Sequence, residues 1–336
     1  MKLTNLLKTA AALALVAGSA SAESTHLRIQ THYGPETLSG KNATQFVEDI
    51  QAMSNGEITV EMFYSSSVVA SVETFDAAAN GIIDCDMTGG AYQTGKNPAF
   101  QFVGDIMGGY DTPWQQLSWL YQGGGYDAAQ ELYNQYGMHL VGWWVVGQES
   151  LASSIPLDSV EDFQDFKFRS PPGMETKIFE KLGASPIVMD FTEIFTALES
   201  GIIEGADASI LANNKGMGLY DIVKHATYPG FHSMPSDHLA CNLDVWNSMP
   251  AHHRAIMDTA MQKLSLQQSL TAEYENNLAA TALRAEGVTL HDLSAEARAA
   301  YRAAAVSTWP EFATTPEAKA LVASHTAFLK SQGMAN

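Results

Sequence analysis

The stretch that decides the fold is residues 27–63, LRIQTHYGPETLSGKNATQFVEDIQAMSNGEITVEMF. Residues 27–32 alternate in the manner of a strand and stop at Tyr33-Gly34-Pro35, a turn signal. Phe46, Ile50 and Met53 then recur at helical spacing, so a helix is expected over 39–53, ended by Asn55-Gly56. Residues 58–63 return to a strand. The rhythm continues with a helix over 71–80 halted by Gly81, a strand over 82–87 and the loop Thr88-Gly89-Gly90. Strands and helices alternating through short loops imply a parallel or mixed sheet flanked by helices, an α/β fold.

Working outward, helices are expected over 114–121 and 126–136, separated by Gly123-Gly124-Gly125. Residues 138–146 form a nearly all-apolar run suited to a strand buried on both faces. After a capped turn at Ser159-Val160-Glu161-Asp162 a second series begins: strand 166–169 ending in Pro171-Pro172-Gly173, helix 174–182, strand 185–189, helix 193–200 closed by Gly201, and strand 206–209. Residues 250–286 are poor in Gly and Pro and rich in Ala, Leu, Gln and Glu, which predicts one or two long helices. A single helix there is about 50 Å long, enough to run across two lobes. Further helices are expected over 294–332, and neither a repeat nor a low-complexity segment interrupts the chain.

The N-terminus reads as an address. Lys2 and Lys8 flank the start of an apolar run at 10–16, and Ala20-Ser21-Ala22 offers the small residues of a cleavage site, so export and cleavage after Ala22 are expected. The run is well short of the roughly 20 residues that span a bilayer. Residues 23–336 exceed what one core usually serves, which points to two lobes. A net charge of −19 argues against nucleic acid and anionic lipid as partners, and obliges any anionic ligand to find local basic residues. Cys85 and Cys241 lack metal-type spacing and leave two options, one bridge or two buried thiols.

Arg169 is the first candidate for chemistry. It closes a strand just before Ser170-Pro171-Pro172-Gly173, at the carboxyl edge where α/β sheets present ligands, and a guanidinium there can grip a carboxylate. Gln148 follows the buried 138–146 run at a similar edge, and Asp207 lies in the short strand after Gly201; an amide oxygen and a carboxylate suit Na⁺ or Ca²⁺ better than zinc. His225, His232, His238, His252 and His253 show no His-Glu-x-x-His arrangement and read as satisfied or solvated, with His238 the one that could approach a cleft. The glycine clusters are turns, Gly147-Gln148-Glu149-Ser150 is not a hydrolase elbow, and Tyr92 follows a strand at a carboxyl edge.

Several blocks together resemble the solute-binding subunit of tripartite ATP-independent periplasmic (TRAP) transporters, especially the branch that binds 2-oxo acids or lactate. They are Phe75-Asp76-Ala77 with Gly81, Gln122-Gly123-Gly124-Gly125, Phe166-Lys167-Phe168-Arg169-Ser170-Pro171, Glu193 through Gly201, and Tyr228-Pro229-Gly230. The resemblance implies a two-lobed periplasmic binding-protein fold with a hinge and a long helix spanning both lobes. It assigns 23–147 with about 234–260 to lobe I, and 148–233 with parts of 261–336, including the C-terminal helices, to lobe II. It also implies that Arg169 clamps a ligand carboxylate and that Gln148, Asp207 and the Ala208 carbonyl hold a Na⁺ or Ca²⁺ ion bridging to the ligand, with Tyr92 near the pocket and no organic cofactor.

Two positions depart from that branch: Asp207 stands where glutamate is usual, and Ala208 where relatives carry a larger residue, which suggests a ligand larger than pyruvate. The expected ligand is a small organic acid, the expected partners are the TRAP membrane subunits, and a homodimer through C-terminal helices is an open option. Two other readings are an exported metal-dependent hydrolase or lyase using Asp207 and a histidine such as His238 as base, and a sensory protein feeding a receptor.

Overall fold

The computed structural model describes residues 24–334. The first lobe opens with β1 (Thr25–Thr31), α1 (Leu38–Met53), β2 (Ile58–Phe63), α2 (Thr74–Ala79), β3 (Cys85–Met87), α3 (Ala99–Gly104), α4 (Pro113–Gln122), α5 (Gly125–Asn134) and β4 (Met138–Val145). The chain crosses to a second group: β5 (Ser150–Ser153), β6 (Lys167–Ser170), α6 (Met174–Lys181), β7 (Ser185–Val188), α7 (Ile194–Glu199), β8 (Gly205–Ser209), α8 (Leu211–Gly216), α9 (Leu219–Ile222) and β9 (His225–Thr227). It crosses back for β10 (Ser236–Asn242) and α10 (Leu243–Ser248). It ends with α11 (Ala251–Ala285), β11 (Thr289–His291), α12 (Ala295–Phe312) and α13 (Pro316–Ser331).

Two sheets result, one per lobe. The first has strand order β2-β1-β3-β10-β4, with β10 antiparallel to both neighbours; the second runs β11-β9-β5-β8-β6-β7, with β5 antiparallel to β8 and β9. The fold is therefore a two-lobed α/β architecture. Local chemistry explains the ends of its elements. Thr37 caps α1 by accepting from the Gly40 amide, Thr112 and Gln115 form a capping box for α4, and the Asn242 side chain caps α10. In β4 successive side chains serve opposite faces, so Trp143 enters one hydrophobic core and Trp144 the other.

The region 250–286 is one helix, not two. Its buried face packs against β4 and α1 in the first lobe and against α8 and β11 in the second. The tail is shared: α12 packs on α6, but α13 returns to α3 and α5 in lobe I, which differs from an assignment of the C-terminal helices to lobe II. The strand expected over 82–87 shrinks to β3. The Ile82 and Ile83 amides donate to the Ala77 carbonyl at the end of α2, and the Arg28 guanidinium donates to the Ile82 carbonyl at 2.6 Å, so 82–83 stay out of the ladder. Cys85 and Cys241 sit opposite each other on β3 and β10 and are joined as a disulfide, which resolves the two options for the cysteines.

The segments linking the lobes, 146–149 and 228–235, lie side by side. The Val146 amide donates to the Pro235 carbonyl at 2.9 Å and the Glu149 amide to the Ser233 carbonyl at 2.9 Å. This paired crossing forms the floor of the cleft between the lobes.

Candidate ligand-binding site

Strand β6 lies inside the second sheet, parallel to β7 and β8, so its carboxyl end opens toward the cleft. Arg169 near that end is 1% exposed. Its Nη1 donates to the Asp207 carbonyl at 2.8 Å and its Nε to the Met189 carbonyl at 3.2 Å. Phe191 lies 5.9 Å from the guanidinium carbon. The remaining nitrogen, Nη2, is buried without a protein partner, and Arg169 lines the interlobe cavity. A guanidinium fixed by two carbonyls, with one donor left over, is a hand held out for an anion.

Burial lowers the pKa of Arg169, but Tyr92, Asp207 and Glu175 more than offset this and hold it above the ordinary value. Burial alone would raise Asp207; the hydrogen bond and charge of His232, together with Arg169, overcome it and keep Asp207 below the usual range. His232 Nε2 lies 2.9 Å from Asp207 Oδ1. Glu149 and Glu175 go the other way: burial and the nearby charge of Asp207 push both well above the carboxylate range. On the lobe I side, burial lifts Asp105 and Asp237 to about 7. Asp237 accepts from the Tyr33 hydroxyl at 3.0 Å, and Asp105 from the Ser233 hydroxyl at 2.6 Å. His32, stacked on Tyr33 at 4.0 Å, is lowered by burial and by Arg169 to about 3 and is neutral.

The residues singled out in the sequence do not all meet here. Arg169, Asp207, Ala208 and Tyr92 line one cavity. Gln148 does not: its Nε2 donates to the Asp111 carbonyl at 2.9 Å, and it lines a separate small space. Gly147, at φ 119°, and a bend at Gln148 send that side chain toward Asp111, while the next residue, Glu149, lines the cavity. His238 is also elsewhere, fully buried in lobe I between Asp86 at 2.9 Å and the Tyr133 hydroxyl at 2.8 Å. His252 and His253 each place Nε2 3.3 Å from the same Glu57 oxygen.

Sequence reasoning missed Glu149, Glu175, Asp105, Asp237 and the role of His232. An acid set in an otherwise apolar run, as at Asp105 between Phe102-Val103-Gly104 and Ile106-Met107, was the available signal. The cavity holds about 50 Å³ and is tight despite the small Ala208.

The model of the bacterial extracellular solute-binding protein family 7, DctP, matches residues 29–315. The chain belongs to that family. A monocarboxylate 2-oxoacid-binding periplasmic protein of Nostoc is 28% identical over 277 residues, which cover 79% of this chain and 71% of the relative. A TRAP solute-binding protein of Rhodobacter sphaeroides, in an apo open structure, is 31% identical with a TM-score of 0.72, covering 92% of this chain and 99% of that one. A TRAP solute-binding protein of Bordetella bronchiseptica, a mixed-occupancy dimer with calcium and picolinate, has a TM-score of 0.85 at 23% identity, covering 92% and 93%. Family 7 proteins are solute receptors, and this chain has their two-lobed frame with a guanidinium in the cleft.

Proposed function

We propose that this family 7 chain is the solute receptor of a TRAP transporter and that it captures a small organic acid through Arg169. The observation that carries the reading is the free, buried Nη2 of Arg169 in the cavity between the lobes. No bond is made or broken. The ligand bridges the lobes, closure excludes water and strengthens the ion pair, and the closed form is what the membrane subunits would recognise. The hydrolase or lyase reading loses His238, which lies in the lobe I core away from Asp207, and the histidine beside Asp207, His232, has its Nε2 engaged by that carboxylate. Export with cleavage after Ala22 belongs to the same reading and falls outside the described residues. Among the described residues no helix is long and apolar enough to cross a membrane.

Glu149, Asp207 and His232 bring possible ligand atoms within 4.8 Å of one another. A Na⁺ or Ca²⁺ ion would be held there by Glu149 and Asp207 rather than by Gln148, and would lend its charge to the carboxylate beside it. Calcium accompanies picolinate in the Bordetella structure. For a homodimer the support is a stripe on α11: Leu266, Leu270, Tyr274 and Leu278 are each about half exposed or more and recur every fourth residue.

The test is a thermal-shift screen of the mature protein against 2-oxo, 2-hydroxy, amino, dicarboxylic and sulfonic acids, with and without Na⁺ or Ca²⁺. A ligand at a hundred times its Kd adds about 2.7 kcal/mol, which the Arg169→Ala variant should not gain. A variant that responds as wild type does would remove the clamp.

A further inference from the structure

The cavity is acidic in a way that a receptor for a simple anion does not require. Asp105, Glu149, Glu175, Asp207 and Asp237 all line it, against the single guanidinium of Arg169. Burial and Asp207 hold Glu149 and Glu175 well above the carboxylate range, as for acids with no cation beside them, and a cation placed among them would let them ionise. A metal ion there would draw only part of its shell from the protein: Ca²⁺ takes six to eight oxygens, whereas the Gln148 amide faces Asp111 and one Asp207 oxygen is already bonded to His232 at 2.9 Å. An ammonium group has only three donors to place.

We propose that the ligand is a zwitterion, its carboxylate on the free Nη2 of Arg169 and its ammonium between Glu149 and Asp207. This rests on the solute-receptor reading and names the substrate class of the same cavity. Arg169 Nη1 lies only 3.7 Å from Asp207 Oδ2, so the anion and cation subsites are adjacent. Such spacing suits an amine one or two carbons from the carboxylate, an α- or β-amino acid of a size the small cavity admits. The buried Nη2 without a partner marks the carboxylate end independently of the acids. Asp237, from lobe I, adds an acceptor on the opposite wall, so that the ammonium rewards closure.

The experiment is calorimetry and thermal shift on the mature protein with L-alanine and β-alanine, set against pyruvate and L-lactate, in a chelating buffer and again with Ca²⁺ and Na⁺. An amino acid that binds under chelation while the matched oxo and hydroxy acids do not is the expected result. Glu149→Gln should then weaken binding roughly tenfold or more, as should Asp207→Asn, which keeps the shape beside His232 and serves should the first variant fold poorly. Binding of pyruvate or lactate without binding of the amino acids, with or without metal, overturns the zwitterion and leaves the receptor reading intact. Silence of every acid, or equal response of Arg169→Ala, overturns both.

Discussion

Gln148 and Glu149 part company at the bend between the lobes, and a single residue decides which side chain meets the ligand. Charge decides the rest. Burial raises Asp237 to about 7, so from its unfolded range near 4 up to pH 7 the folded protein keeps a proton that the unfolded chain has lost. Stability contributed at this position therefore falls as pH rises through that window. Asp237→Asn, neutral throughout and able to accept from Tyr33, should gain on wild type by up to about 4 kcal/mol between pH 4 and pH 7 in the ligand-free protein. Tm differences measured across that range check it; a flat difference would mean that Asp237 stays ionised. Space matters equally at Gly230, where an added Cβ would lie 2.3 Å from the Glu149 carbonyl oxygen and 2.5 Å from that of Gln148. Both are backbone atoms of the crossing, so Gly230→Ala should lower Tm and ligand affinity together, as one thermal-shift titration would reveal.

Among the elements, α11 separates packing from surface along a single helix. Leu264 is 2% exposed in the lobe I contact, and Leu264→Ala should cost about 2–5 kcal/mol in chemical denaturation. Tyr274, 64% exposed, should tolerate Glu with little change in stability, and light scattering of Tyr274→Glu should report a smaller mass than wild type where the stripe joins two copies. This helix was legible from composition, as were α1, β2, α4, α6 and β7, because periodic apolar residues and glycine stops speak locally. β5 and β10 were not. β10 reads Ser-Asp-His-Leu-Ala-Cys-Asn, with polar residues buried at the cleft, and only its neighbours β3 and β4 make it a strand. The site followed the same divide. Arg169 was visible from the strand-and-proline pattern around it, whereas Glu149 and Glu175 needed the fold that sets the crossing and the start of α6 beside Asp207.

The whole molecule is two lobes that the chain visits in alternation, and its disulfide ties residues 156 apart in sequence. Replacing both cysteines by alanine should lower stability by about 2–5 kcal/mol in non-reducing denaturation, by releasing that long loop in the unfolded chain. Ligand affinity should change little, since both cysteines are buried in the lobe I core and neither lines the cavity.

The place of β10 in the first sheet has a consequence in time. A chain that emerges N-terminus first presents β3 and β4 long before the strand that belongs between them, with all of β5 to β9 still to come. Until residues 236–242 arrive, β3 is a raw edge and β4 has no strand beside it, both open to pairing with any passing chain. The lobe that comes out first is thus finished late, and the interval is one in which a nascent copy needs shelter or dilution.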